Sequence, residues 1–539
     1  MARDAERDGA VLRAILERAR AGQHAEAAGL AHGALAEGLE HPLVLNVAAL
    51  GLEQQGRIDE AVRLLRRAVQ IAPRDAAARN ALGLSLLQML EPREALEQFD
   101  AVLELDAGIA HAHANRGHAL RALGAPREAE ASYRRTLELD PAHALALAGL
   151  ANLAAHRGAY GEARASAEKA LAAAPGLPDA LLSLAVADLG EGHLERAERS
   201  VRTALNDGRL PALARARAHG VLGDILDAAQ HTEAAFAAYT TCNDGLRGLY
   251  SGRFASAFDQ LREMTASFPA SLAERWRAAR DSRVQREARA HVFVLGFPRS
   301  GTTLLNSILV GHPQVVVLEH YGLLVDAARE FPSDPRSLES LARAPPAVLE
   351  RLRAAYWIRV ASAGADVKDR IFVDGSALNS LQLPLVARLF PDARILLACR
   401  DPRDAVLSAF RNRFAMSAPG YELLTLDGGA RYYGAVMDFI IRLTSLLKFD
   451  ILLVRHEDLI SEFKREMRRI CEALALEWHP GMGDFSLRAR DGEERAPTEA
   501  EFRRGLGTEG IGQWRRYRAH LEPVLPILEP WVQRFDYGA

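Results

Sequence analysis

"VFVLGFPRSGTTLL", residues 292–305, decides how the second half of this chain is read. Residues 292–295 form an apolar run of the length expected for a buried strand. Gly296 and Gly301 bracket a tight turn, and the apolar residues after Thr302 fit the start of a helix. A strand, a glycine turn and a helix in that order form a loop whose backbone N–H groups converge on an anion. The glycine spacing matches the phosphate-binding pattern G-x-x-x-x-G-K-[ST], yet Thr302 stands in the lysine position and Arg299 lies inside the loop. Arg299 offers a permanently charged planar fork for phosphate or sulfate oxygens. The expected cradle is Pro298, Arg299, Ser300, Gly301, Thr302 and Thr303. With no loop lysine and no evident acidic metal ligand after an apolar run, magnesium-dependent cleavage of a γ-phosphate is disfavoured.

Outward from the loop, short β-branched runs recur at 315–318, 371–373, 395–397 and 451–454, with helical patterns between them. Apolar strands joined by helices predict a mostly parallel sheet covered on both faces. Ligands on such sheets sit at the carboxyl ends of the strands. The chemical candidates at those ends are the loop itself, Glu319 with His320, Asp374, Arg400, and Arg455 with His456. A second anion site is expected in "ILLACRDPRDAVLSAFRNRF", residues 395–414. There Arg400 ends a strand and Ser408 follows eight residues later on a helix. An arginine and a hydroxyl held this way grip a second phosphate. A nucleotide phosphorylated at two places fits both sites.

The first half is periodic. Glu-Ala pairs occur at 26, 60, 94, 128 and 162, a step of 34 residues each time. Arg196-Ala197 keeps the phase, and Glu233-Ala234 is expected to continue it after a short insertion. Gly22, Gly56, Gly124, Gly158 and Gly192 lie four residues before the pair, with Leu90 replacing the glycine once. Pro73, Pro141 and Pro175 keep the same step near the unit ends. The glycine relieves a turn, the alanine lets helices approach closely, and the proline stops the second helix. One such unit cannot bury its apolar face, so units stack into a solenoid. The segment resembles tetratricopeptide repeats, which implies a surface for a peptide or protein partner.

Bulk properties exclude several classes. A net charge of −3 shows no basic excess for nucleic acid. The three cysteines are too scattered for a disulfide framework or a metal cluster. The first twenty residues lack a signal peptide's apolar core, and no stretch approaches the ~20 apolar residues of a membrane helix. A cytoplasmic protein without a membrane or nucleic-acid partner is expected.

The second half resembles the sulfotransferase family over about residues 290–520. "GFPRSGTTLL" (296–305) is similar to its 5′-phosphosulfate loop, and "CRDPRDAVLS" (399–408) to its 3′-phosphate motif, carried by Arg400 and Ser408. "HPQVVVLEH" (312–320) resembles the segment that carries the catalytic glutamate in tyrosylprotein sulfotransferases and their bacterial relatives; Glu319 takes that position. "VRHEDLI" (454–460) and "GIGQWRRY" (510–517) resemble two later motifs, with His456 where relatives have tyrosine. The resemblance implies 3′-phosphoadenosine 5′-phosphosulfate as donor and adenosine 3′,5′-bisphosphate as product, without a metal. It implies in-line transfer to an acceptor hydroxyl, with Glu319 as base and Arg299 stabilising the leaving group. His320 is the rival base. The acceptor would be a tyrosine of a peptide or protein, or a carbohydrate or small-molecule hydroxyl, recruited by the repeats. A repeat scaffold that binds nucleotide without turnover is the alternative. Relatives carry D-K-x-P where this chain has "VDGSALNSL" (373–381), so Gly375 replaces the lysine expected at the sulfuryl oxygens and Ala377 replaces the proline. Lys368 is the candidate substitute. Arginines 488, 490, 495, 503, 504, 515, 516 and 518 make a basic C-terminal region. The expected architecture is α + α/β. An N-terminal α-solenoid of tetratricopeptide repeats (8–245) and a helical connector (246–289) precede a P-loop-like α/β sulfotransferase domain (290–539) with a mostly parallel sheet.

Overall fold

The computed structural model describes residues 2–208, 210–278, 287–319, 321–483 and 510–538. His320 and arginines 488, 490, 495, 503 and 504 lie outside the described residues. The chain forms two compact units, residues 1–207 and 208–539.

The first unit is a row of helix–turn–helix pairs. They are α1 (Ala2–Arg20) with α2 (His24–Ala36), α3 (Pro42–Gln54) with α4 (Ile58–Ile71), and α5 (Ala76–Gln88) with α6 (Pro92–Leu105). Then come α7 (Ala110–Ala122) with α8 (Pro126–Leu139), α9 (Ala144–His156) with α10 (Tyr160–Ala173), and α11 (Pro178–Gly190) with α12 (Leu194–Leu205). The sequence period has a direct physical counterpart. The turn residues Gly22, Gly56, Gly124, Gly158 and Gly192 all have positive φ, between +73° and +81°. Leu90 adopts the same left-handed conformation at φ +63°, which a side chain resists. The alanines of the pair, from Ala27 to Ala197, are at most 1% exposed and sit where two helices touch. Pro73, Pro141 and Pro175 each stand two residues beyond a helix end.

The second unit opens with one more pair, α13 (Ala212–Ala228) and α14 (Thr232–Leu249). Its turn is Gln230, φ +63°, and its buried small residue is Ala235. The insertion before it is therefore four residues long. The expected Ala234 is exposed, because the turn sets the phase and not the Glu-Ala spelling. By repeat pattern this pair closes the array; by packing it belongs with the residues that follow. Helices α15 (Ala257–Ala266) and α16 (Ala270–Ala278) and the turn between them, in the stretch expected as a connector, contribute Leu261, Phe268, Leu272 and Trp276 to the main core of this unit.

Five parallel strands make the sheet: β1 (Ala290–Gly296), β2 (Val315–Leu318), β3 (Ile371–Asp374), β4 (Arg394–Cys399) and β5 (Asp450–Arg455), in the order β2-β3-β1-β4-β5. In register, Phe293 faces Asp374 and Gly296 faces Ala398. Alternate side chains enter two cores. Phe293, Leu295, Phe372, Ile395 and Leu397 pack under α20 (Pro346–Ser362), α21 (Leu383–Leu389), α22 (Pro402–Arg411), α24 (Leu426–Leu447) and α28 (Leu525–Arg534). Val292, Val294, Val373, Leu396 and Val454 pack under α17 (Thr302–Leu309), α25 (His456–Ser461) and α26 (Phe463–Leu474). Burial on both faces is why the inner strands β1, β3 and β4 read as unbroken apolar runs. Short helices α18 (Val325–Glu330), α19 (Pro335–Ala342), α23 (Ala418–Glu422) and α27 (Arg518–Leu521) complete the described elements with 3₁₀ turns.

Candidate functional site

The loop after β1 is anchored before it turns. Phe297 is fully buried, with its ring 4.9 Å from that of Tyr433. The Ser380 hydroxyl donates to the Gly296 carbonyl and accepts from the Gly296 N–H, both at 3.0 Å. The chain then passes through two left-handed residues, Arg299 at φ +71° and Gly301 at φ +93°. Alternating backbone handedness is the general geometry of an anion nest, and here the Ser300 N–H donates to the Phe297 carbonyl at 3.1 Å. Helix α17 starts at Thr302 and adds the positive end of its dipole. Gly301 has a second constraint: a Cβ there would lie 2.6 Å from Nδ1 of His456. Ser300 and Thr302 are buried, and Pro298 and Thr303 are half-buried.

The second expected site meets the first. Arg400 follows β4 directly and is 8% exposed. Its Nη1 donates to the Arg299 carbonyl at 3.3 Å and its Nη2 to the Gly510 carbonyl. Its Nε is buried without a partner. The Arg299 Nε donates to the Ser408 hydroxyl at 3.0 Å. Arg299, Arg400 and Ser408 are therefore brought together, although 109 positions separate Arg299 from Ser408. Asp401 caps α22 through the Arg403 N–H and pairs with the Arg403 guanidinium at 2.7 Å. Its own N–H donates to Glu457 at 2.9 Å. This buried lattice fixes the turn that carries Arg400. His456 sits over the loop. Burial, then Arg400 and Arg299, push its imidazole down to about 3, so it is neutral near pH 7 beside two guanidiniums.

Glu319 follows β2 at the same end of the sheet. The Thr303 hydroxyl donates to its Oε1 at 3.1 Å, which ties the expected base to the first turn of α17. The neighbouring strand end explains the missing lysine. Gly375 donates its N–H to the Leu318 carbonyl at 2.8 Å and accepts from Asn306 Nδ2 at 2.9 Å. A Cβ at 375 would lie 2.4 Å from that Nδ2, so Asn306 of α17 fills the space a side chain would need. Asn306 Oδ1 is buried and unpaired. Lys368 does not replace the lysine. It is exposed and precedes the first residue of β3, at the amino-terminal end of the sheet, opposite the loop.

Sequence reading missed the group beneath this end. Tyr356 donates to Asp374 Oδ2 at 2.9 Å, and His291 Nε2 lies 2.9 Å from the Tyr356 hydroxyl. Burial pushes the Asp374 carboxyl up to about 6. Nothing local in the sequence marks Tyr356, which is one aromatic among the mixed apolar and charged residues of α20. Trp514 is a packed aromatic, 3% exposed, with the Arg403 guanidinium 3.9 Å from its ring centroid.

These residues fit a doubly charged ligand. Two guanidiniums, one with an unpaired buried Nε, stand beside a nest of amides and a helix start. A carboxylate lies on one flank. Among the described residues, no helix is long and apolar enough to cross a membrane.

Comparison with known proteins follows the same division. Residues 291–480 match the model of the Sulfotransferase family. Residues 42–85, 80–126 and 115–178 match Tetratricopeptide repeat models. An uncharacterized protein of Aquifex aeolicus is 23% identical over 358 residues, covering 62% of this chain and 44% of that protein. Protein-tyrosine sulfotransferase A of Caenorhabditis elegans is 23% identical over 193 residues, covering 35% of this chain and 50% of that protein. The chain thus spans about half the length of these relatives or less. Among solved structures, a tetratricopeptide repeat protein from Parabacteroides merdae aligns with a TM-score of 0.35 at 17% identity, covering 44% of this chain and 92% of that one. The chain carries tetratricopeptide repeats in its first unit and a Sulfotransferase-family domain, residues 291–480, in its second.

Proposed function

We propose that the second unit transfers a sulfuryl group from 3′-phosphoadenosine 5′-phosphosulfate to an acceptor hydroxyl. The observation that carries this reading is the meeting of the β1–α17 loop with the β4–α22 turn. Arg299 reaches Ser408, and Arg400 reaches the Arg299 carbonyl. By this reading Pro298, Arg299, Ser300, Gly301, Thr302 and Thr303 hold the 5′ end, and Arg400 with Ser408 holds the 3′-phosphate. The bound donor supplies a sulfuryl group on a phosphate leaving group. Glu319 takes the acceptor proton as the new O–S bond forms. Arg299 and the loop amides receive the charge left on the 5′-phosphate as the old S–O bond breaks. Positioning and electrostatics do most of this work, as in phosphoryl transfer.

A tyrosine in a peptide or protein is the first acceptor to test, because a protein-tyrosine sulfotransferase is among the relatives. Carbohydrate and small-molecule hydroxyls are the alternatives. Tetratricopeptide arrays bind proteins in general, and residues 8–245, taken as the array by period, would recruit the acceptor. Three free, buried cysteines fit a reducing, cytoplasmic setting. Calorimetry with adenosine 3′,5′-bisphosphate and AMP tests the donor site. Binding that needs the 3′-phosphate and is lost in Arg400→Ala supports the reading, and equal affinity for the two nucleotides overturns it.

A second reading has its own observation. Asn306 occupies the place of the family lysine's side chain, so the site lacks one cation. A nucleotide-binding scaffold without turnover would look the same at Arg299 and Arg400. Release of adenosine 3′,5′-bisphosphate from the donor in the presence of tyrosine peptides separates the two.

A further inference from the structure

The hairpin α13–α14 repeats the pattern of the array, yet its contacts run into the donor site. Asp227, 9% exposed, accepts from three groups: the guanidiniums of Arg411 and Arg516, and the Tyr517 hydroxyl at 2.7 Å. Asp224 accepts from Arg413 at 2.6 Å and from Tyr239 at 3.0 Å. Asn243 donates to the Phe410 carbonyl at 2.9 Å. Phe236 stacks on His520 with ring centroids 3.8 Å apart and on Phe410 at 5.3 Å. Hairpin, end of α22 and residues 510–520 form one packed body.

Helix α22 connects this body to the anion loop. On α22, residues 404, 408 and 411 are spaced by four and three, so they run down one face, and Arg400 stands two residues before the helix start. Each is used. Arg400 bonds the carbonyls of Arg299 and Gly510. Asp404 accepts from the N–H groups of Gly512 at 2.6 Å and Trp514 at 2.8 Å. Ser408 accepts from Arg299. Arg411 donates to Gln513 at 2.7 Å and to Asp227. The segment 510–517 is thus pinned by Arg400 and Asp404 at one end and by Asp227 at the other. The groups expected to hold the 3′-phosphate share these links.

We propose that Asp227 is a positioning residue of the donor site, and that the hairpin α13–α14 is a working part of it. Asp227 touches no nucleotide. It neutralises Arg411 and Arg516 and holds Tyr517, which sets residues 510–517 against α22 and so fixes Arg400 and Ser408. The inference rests on the sulfotransferase reading above and assigns it a determinant outside residues 291–480.

The test uses the full chain and measures affinity for adenosine 3′,5′-bisphosphate and for AMP. The ratio of the two isolates the 3′-phosphate grip. In Asp227→Asn the ratio should fall about five- to tenfold, the size of an ordinary coupling between linked sites. Tyr517→Phe removes one hydrogen bond without changing shape, and should lower the ratio about threefold. It decides the matter if Asp227→Asn does not fold. A ratio unchanged in the folded variant, with only a lower unfolding midpoint, makes Asp227 merely structural and overturns the proposal. A wild-type protein without 3′-phosphate preference overturns the donor reading itself, and the proposal falls with it.

Discussion

Restoring the family lysine at position 375 should damage this protein. In Gly375→Lys the new Cβ would stand 2.4 Å from Asn306 Nδ2 and 2.6 Å from its Cγ and Oδ1. The offending atoms belong to a side-chain amide, so Asn306 can swing away, but it then gives up its 2.9 Å bond to the Gly375 carbonyl. Leaving such buried groups unpaired costs about 1–3 kcal/mol. Crowding a packed site costs about 1–3 kcal/mol more. Replacing glycine returns roughly 0.5–1 kcal/mol through the unfolded chain. The net loss is about 1–5 kcal/mol. All five tryptophans, at 276, 357, 478, 514 and 531, lie in the second unit, so tryptophan fluorescence during urea titration reports that unit. Asn306→Ala/Gly375→Lys should be more stable than the sum of the single effects by about 1–2 kcal/mol, because the alanine vacates the space. A wild-type midpoint for Gly375→Lys, or strict additivity in the double variant, refutes the exchange of volume between 306 and 375.

Leu90→Gly should stabilise the first unit by about 1 kcal/mol, since a left-handed leucine is strained where glycine is not; a lower midpoint by far-UV circular dichroism in urea contradicts this. Glu319→Gln should lower sulfuryl transfer about 10²- to 10⁴-fold while affinity for adenosine 3′,5′-bisphosphate stays within about twofold. Retained transfer removes Glu319 as the base. Burial raises the Asp374 carboxyl from 3.8 to about 6, so the folded state binds more protons than the unfolded one between those values. Stability contributed by this group therefore falls as pH rises through that window and is level above it. The step is about 2–3 kcal/mol. Asp374→Asn should lack it, whereas His456, held down near 3, adds the opposite slope to both proteins. Parallel pH profiles for wild type and Asp374→Asn would show that the carboxyl is not shifted.

What the sequence revealed follows the range of each interaction. The strand cores at 292–295 and 395–397 were legible because residues of β1 and β4 alternate into two buried cores, leaving unbroken apolar runs. The β1–α17 loop was legible because its pattern is local: two glycines, an arginine and a helix start within ten residues. At position 375 the sequence showed the glycine but not its packing partner, because Asn306 is 69 positions away. Tyr356 and His291 were invisible for the same reason. An aromatic and a histidine in apolar surroundings carry no mark of the hydrogen bonds that link them to Asp374.

The hairpin α13–α14 shows where periodicity itself stops being informative. Gln230 at φ +63° and the buried Ala235 obey the repeat's rules, and those rules concern how two helices of one unit meet. They say nothing about the other faces. Asp224 and Asp227 lie on such a face, and their partners outside the hairpin fall at positions 411, 413, 516 and 517. A boundary drawn by repeat count falls after the hairpin, and a boundary drawn by packing falls before it, at 207. The two answer different questions. The first tells how the segment was built, and the second tells which half loses its shape when the segment is removed. A fragment starting near 290 keeps every motif of the donor site but exposes Arg411 and Arg516 without Asp227. Such a fragment also loses Leu261, Phe268, Leu272 and Trp276 from its core, so its failure to bind nucleotide would be no argument against the proposed site.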